Sequence, residues 1–431
     1  MSESLTFTTL GELIKEKRIE MGISLSELGR MTGISKGVLS KIENDETKRP
    51  ELRTIKPLVD TLKLPYENIV ELYVEIGQRF DVLCELILEA IELRNTKLVS
   101  AIVLKLLESP HEDTHKSLER LYKVANSIVN TEMKIAIFTP VIAYARERGI
   151  PLYIAKGLYQ KYLIEREDLK RLEESFRMGE EITYYVDFLS HEEQLVYYYR
   201  MTLHAYNIKK YEKCIEMGKK GFKIDQTIHE LKQRAAYVVI NSYILLNEFA
   251  HAEEFLYVSE KSNHNFIIER SKFIRANIYF GKGEYNVAIP ILQECLSEAT
   301  EDTRVHIMND LLESYINLDD MNSVQKFLEA EEDSLCFNVK TPHKHRELGR
   351  FFKLKGIWQV KIGKYDCAIQ SYLRSIHSYE QISANEDINQ CIGEIFSLHF
   401  ELQQSIELNL LEKLVNVYNA INKPIKGKVV I

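Results

Sequence analysis

The chain has 431 residues, a formal net charge of -8, 45% hydrophobic and 28% charged residues, which suits a folded chain of two or three ordinary domains, or of one small domain plus an extended array, and argues against disorder. No run approaches the roughly 20 apolar residues that span a bilayer, and MSESLTFTTL lacks the basic-then-apolar pattern of a leader, so the expected setting is cytoplasmic, with no membrane partner. The six cysteines never form a CxxC, which argues against a disulfide framework or zinc knuckle and for reduced core thiols.

Charge is uneven. Residues 1–65 hold 11 Lys/Arg against 10 Asp/Glu, whereas the remaining 366 hold 45 against 54. An acidic body repels phosphate, so any nucleic-acid contact falls to the first 65 residues.

In chain order, Leu10, Leu13, Ile14 and Met21 space a first helix that Gly22 stops. Ser24 caps a second, SLSELGRM, with Glu27 placed to complete a capping box. Gly33 and Ile34 turn the chain, and Ser35 caps a third helix, KGVLSKIEN. Gly29 falls where two helices must cross closely. Two short helices about such a turn form a helix-turn-helix unit, whose second helix lies in the DNA major groove. Arg53 to Leu64 predicts a fourth helix. Pro65 opens a fifth, running to about Gly77, that links this unit to the larger remainder of the chain.

From Gln78 onward the pattern is helix after helix. LCELILEAIELRNTKLVSAIVLKLL reads as a helical hairpin, and later stretches repeat a turn, an aromatic and a small residue three positions on. The pairs are Tyr211/Cys214, Phe249/Ala252, Tyr285/Ala288 and Tyr365/Ala368, with a weaker Met321/Val324. The aromatic opens the second helix of a pair, and the small residue lets the two helices approach. Tyr243, Tyr279 and Tyr315, six residues before the turn aromatic, fill the layer between repeats. About nine or ten such pairs would bury their apolar faces only against neighbours.

On these residues, Leu10 to about Leu64 resembles the Cro/C1-type helix-turn-helix of phage repressors and bacterial regulators. The likeness rests on Lys17-Arg18-Ile19, SKGVLSKIEN and the TKRP loop (Thr47–Pro50). It implies a structural Arg18–Glu43 pair. It also implies DNA contacts from Ser35, Lys36, Gly37, Ser40 and Lys41, with Asn44, Lys48 and Arg49 on the flanking backbone. The chain departs from that pattern at Leu25, where many relatives carry a glutamine, and at Glu51, where some carry a basic residue.

The repeats over 197–380 resemble tetratricopeptide repeats. The expected fold is therefore all-α: a five-helix Cro/C1-type domain (1–65), a linker helix (66–77) and a right-handed tetratricopeptide superhelix (78–431) for peptide binding and dimerisation. Counting back from the turn aromatic places columns on the groove. Arg234, Arg270, His306 and Arg350 form one, Tyr237, Phe273, Asn309 and Lys353 a second, and Asn241, Asn277, Glu313 and Ile357 a third. Asparagine offers both donor and acceptor to a peptide backbone, arginine suits a carboxylate, and Tyr237 and Phe273 supply apolar contact. The candidate peptide site is Asn241, Asn277, Arg234, Arg270, Tyr237, Phe273, Asn309 and Arg350.

The two-part architecture resembles the Rap/Rgg/NprR/PlcR/PrgX quorum-sensing regulators and the arbitrium receptors. It implies a homodimeric transcriptional regulator whose repeat domain binds a short signalling peptide and changes binding of a double-stranded DNA operator. The alternative is an adaptor that binds and inhibits a response regulator or phosphorelay protein, with Gln160 or Gln194 as contacts. Catalysis is not expected. HEEQL at His191 lacks a zinc protease's second histidine, HKH at 343–345 lacks an acidic or cysteine partner in sequence, and no Gly-rich phosphate loop occurs. No cofactor or metal is expected.

Overall fold

The computed structural model describes residues 9–47, 50–65, 69, 72, 80–108, 113–262, 264–331, 339 and 341–422. Every regular element among them is helical, and no helix is long and apolar enough to cross a membrane. The chain divides into two compact units: Met1–Ile164 with Tyr184–Phe188, and Glu165–Thr183 with Leu189–Ile431.

The first unit begins with α1 (Leu10–Glu20), α2 (Leu25–Thr32), α3 (Lys36–Glu43) and α4 (Leu52–Leu62). Thr9, Ser24 and Ser35 cap the first three, each side chain accepting from the backbone N–H three residues on. At Ser24 this is the serine half of the capping box, whereas both halves are present at Ser190 and Glu193. Leu13, Ile14, Leu28, Leu39, Ile42, Ile55 and Leu58 are buried together under the four helices. Gly33, at φ 74°, makes the turn between α2 and α3. Gly29 lies so close to it that a Cβ would meet the carbonyl oxygen of Ile34 at 2.7 Å. Arg18 ties α1 to α3: Nε and Nη2 each donate at 2.7 Å to the buried Glu43 carboxylate, and Nη1 donates to the Ile23 carbonyl at 2.9 Å. The helix expected after Pro65 falls almost entirely outside the described residues. The unit continues through α5 (Phe80–Glu92), α6 (Thr96–Glu108), α7 (Thr114–Ser127), α8 (Thr131–Glu147) and α9 (Pro151–Glu165).

The second unit contains α10 (Leu172–Glu181), then helix pairs. These are α11 (His191–Asn207) with α12 (Tyr211–Ile224), and α13 (Glu230–Leu245) with α14 (Phe249–Lys261). After the short α15 (Asn265–Ile268) come α16 (Ser271–Gly281) with α17 (Tyr285–Ser297), and α18 (Glu301–Asn317) with α19 (Met321–Glu331). The last are α20 (Pro342–Lys361) with α21 (Tyr365–Glu380), and α22 (Asn385–Glu401) with α23 (Leu408–Asn422).

Five of these pairs share one turn. Lys209, Asn247, Gly283, Asp319 and Gly363 sit at positive φ, each two residues before the residue that opens the second helix. In each, the next N–H bonds back five residues, as Glu248 does to Tyr243 and Glu284 to Tyr279. This is a helix stop of the Schellman type, with the left-handed residue satisfying carbonyls that would otherwise be orphaned. Three residues into each second helix, Cys214, Ala252, Ala288, Val324 and Ala368 have no exposed surface. Any larger side chain there would hold the helices apart.

Candidate functional site

The exposed side of α3 carries Ser35, Lys36, Gly37, Lys41 and Asn44, with Ser40 half-buried. Leu39 and Ile42 face inward, so helical periodicity turns the other residues to solvent. A Cβ at Gly37 would meet nothing within 4 Å, so the helix surface is open there. Lys48 and Arg49 lie outside the described residues. Val38 belongs to the same face at 42% exposure, and as an apolar residue it would suit a thymine methyl group. Its signal was available in the i, i+3 spacing from Ser35.

In the second unit, a cavity of about 500 Å³ opens among the first helices of the pairs. Asn241, Asn277, Glu313 and Ile357, the whole of one sequence column, line it, as do Tyr237, Phe273, Lys353, His306 and Arg350. The Oδ1 atoms of both Asn241 and Asn277 are buried and have no hydrogen-bond partner among the described residues.

Three of the expected residues are elsewhere. Arg234 pairs with Glu230 and lies over the Phe266 ring at 5.4 Å. Arg270 lies over the same ring at 3.7 Å and donates to the Phe266 carbonyl. The extra helix α15 brings Phe266 within reach of both guanidinium groups, and Arg270 becomes the residue before α16 rather than part of it. Asn309 is fully buried, its Nδ2 donating at 2.9 Å to both the backbone oxygen and Oε2 of Glu347. None of the three lines the cavity.

Charge in the cavity is balanced rather than basic. Lys209, Arg346, Arg350 and Lys353 face Asp310, Glu313, Glu347 and Asp387. Arg350 bridges to Asp310 at 2.9 Å and Glu313 at 2.5 Å, with Glu347 at 3.6 Å. Burial pushes the Asp310 carboxyl up to about 6 in spite of Arg350. Burial also opposes ionisation of Glu347, but the His306 hydrogen bond and the charges of His306 and Arg350 hold it well below the usual carboxylate range.

The columns missed the closing wall. Lys209 pairs with Asp387 at 2.8 Å across 178 residues, Arg346 donates to the Asn207 carbonyl, and Tyr206 meets the His343 ring edge-on at 5.8 Å. Such contacts join pairs far apart in sequence, where repeat spacing carries no signal. Gln160 donates to the Tyr122 hydroxyl and Gln194 to the Leu189 carbonyl, so each is engaged within its own fold.

An exposed polar helix face on a capped four-helix head, with a body of helical hairpins around a cavity, defines a two-part helix-turn-helix protein. A helix-turn-helix family model matches residues 14–68. The HTH-type transcriptional repressor RghR of Bacillus subtilis (strain 168) is 30% identical over 99 residues, 21% of this chain and 73% of that protein. The uncharacterized HTH-type transcriptional regulator RghRB of the same organism is 38% identical over 60 residues, 14% of this chain, and the chain spans 43% of its length. Among solved structures, that of SeMet-phAimR aligns over 94% of this chain and 100% of its own at 12% identity, with a TM-score of 0.36. The chain belongs to the helix-turn-helix transcriptional regulators.

Proposed function

We propose that this regulator binds DNA through α3 and that its second unit, a tetratricopeptide-type array acting within a homodimer, senses a short peptide. The observation that carries the reading is the pair of buried amide oxygens on Asn241 and Asn277, without a partner among the described residues and 36 residues apart on the wall of an open cavity. A buried acceptor without a donor costs free energy that an N–H from a bound backbone would recover. Tyr237 and Phe273 lie beside them for apolar contact. Peptide binding changes DNA affinity to the extent that it favours one shape of the array over another. Both recognition helices of a dimer must meet half-sites about one helical turn apart, or a multiple of it.

Isothermal titration of the full chain against short oligopeptides, with gel shifts on promoter fragments, tests this. Asn241→Ala and Asn277→Ala are each expected to weaken peptide binding about tenfold, the cost of ~1–3 kcal/mol for a lost buried bond. Lys36→Ala and Lys41→Ala should each weaken DNA binding and lower its salt slope by about one. Peptides that bind without altering DNA retention would sink the coupling, and asparagine variants that bind as tightly as wild type would sink the site.

A further inference from the structure

His306 on α18 and His343 on α20 stack their rings, with centroids 4.3 Å apart and planes at 18°. Glu347 is four residues after His343, one helical turn on the same face, and its Oε2 lies 3.5 Å from His306 Nδ1. One donor atom from each of the three lies within 4.8 Å of the others. All three line the cavity. The acidic partner of HKH at 343–345 stands one helical turn past His343 rather than beside the motif, and the second imidazole comes from another helix.

We infer that His306, His343 and Glu347 form a binding site for a divalent transition-metal ion of the zinc type, with its remaining coordination position open to the cavity. Two imidazoles and one carboxylate are the ligand set of zinc sites that keep a position free. The surroundings suit it. Asn309 fixes Glu347 by its side chain and its backbone at once, and such outer support orients ligating carboxylates. Arg350, the competing cation, is already held by Asp310 and Glu313, so Glu347 can turn to a metal without stranding the guanidinium. With Zn–N near 2.05 Å, donors in a tetrahedral site lie roughly 3.3 Å apart, so binding requires the two rings to turn out of their stack until both lone pairs aim at the ion. The inference does not require that the cavity bind peptide.

The test uses the full chain, freed of metal by a chelator and titrated with Co²⁺ alone. Expected are one equivalent bound, visible d–d absorption without a thiolate charge-transfer band, and displacement by Zn²⁺. His343→Gln and His306→Gln should each weaken binding at least ~100-fold, as loss of a direct ligand costs no less than loss of an outer-shell partner. Glu347→Gln should weaken it as well, and His251→Gln, on an exposed side chain outside the cluster, should leave it unchanged. Far-UV circular dichroism confirms that each variant folds. Wild-type protein with no d–d absorption, a thiolate band, or binding that survives both histidine substitutions would each overturn the assignment, the first two without reference to any variant.

Discussion

A Cβ at Gly356 would meet the Tyr372 ring at 2.7 Å, and one at Gly349 the Tyr379 ring at 2.6 Å. Both rings are buried, so neither can swing aside. Gly356→Ala is therefore expected to cost ~1–3 kcal/mol by overpacking, read as a lower midpoint in thermal unfolding. Arg18 is the corresponding point of leverage in the first unit. Arg18→Ala leaves the Glu43 carboxylate buried without its partner, at a cost of about 3–5 kcal/mol, and Arg18→Lys recovers only part because a single ammonium cannot make the two-pronged bond. Hydrogen exchange across α1–α4 measures this better than a global melt, since a chain of two units need not unfold in one step. Individual residues were legible in sequence where one physical demand recurs at a fixed offset. Ala252, Ala288 and Ala368 are small because helices cross there, and that demand shows in any alignment of the repeats. Arg234 and Arg270 were not legible, because Phe266 on an inserted turn captures both guanidinium groups.

The repeated turn is the element on which the second unit depends. At Gly363, φ 75°, glycine is the residue that takes the left-handed conformation without strain. Gly363→Ala should destabilise by about 1–2 kcal/mol. Asp319→Gly, at φ 56° in the equivalent turn, should move stability the other way by less than ~1 kcal/mol. Its ion pair with Lys361 is exposed, and such pairs contribute little. Paired urea titrations of the two variants give the opposite signs directly. The existence and spacing of these turns were readable from Tyr211, Phe249, Tyr285 and Tyr365, because an aromatic opens each second helix. The left-handed residue itself was harder to see, since lysine, asparagine and aspartate occupy it as well as glycine.

At the scale of the whole second unit, protonation links to folding through His204. Its Nε2 lies 2.9 Å from the Leu172 carbonyl and its ring packs edge-on against Phe176. Burial, reinforced by Arg166 and Lys210 and only partly offset by the carbonyl, holds its pKa down to about 4. Between pH 6.5 and pH 4 the unfolded chain accepts a proton that the folded chain refuses. Stability therefore falls with acidification across that window, by ~3 kcal/mol in all, and is unaffected above it. Urea unfolding at pH 7 and pH 4.5 should show the loss in wild type and a smaller one in His204→Gln. The contact between Lys209 and Asp387 has a wider consequence. A stack touching only its neighbours grows or frays from either end, but a bracelet must first have every link in place. The Lys209–Asp387 bond is such a link, joining the turn after α11 directly to α22, so the loss of one intervening pair would disturb both ends of the series and not its neighbours alone.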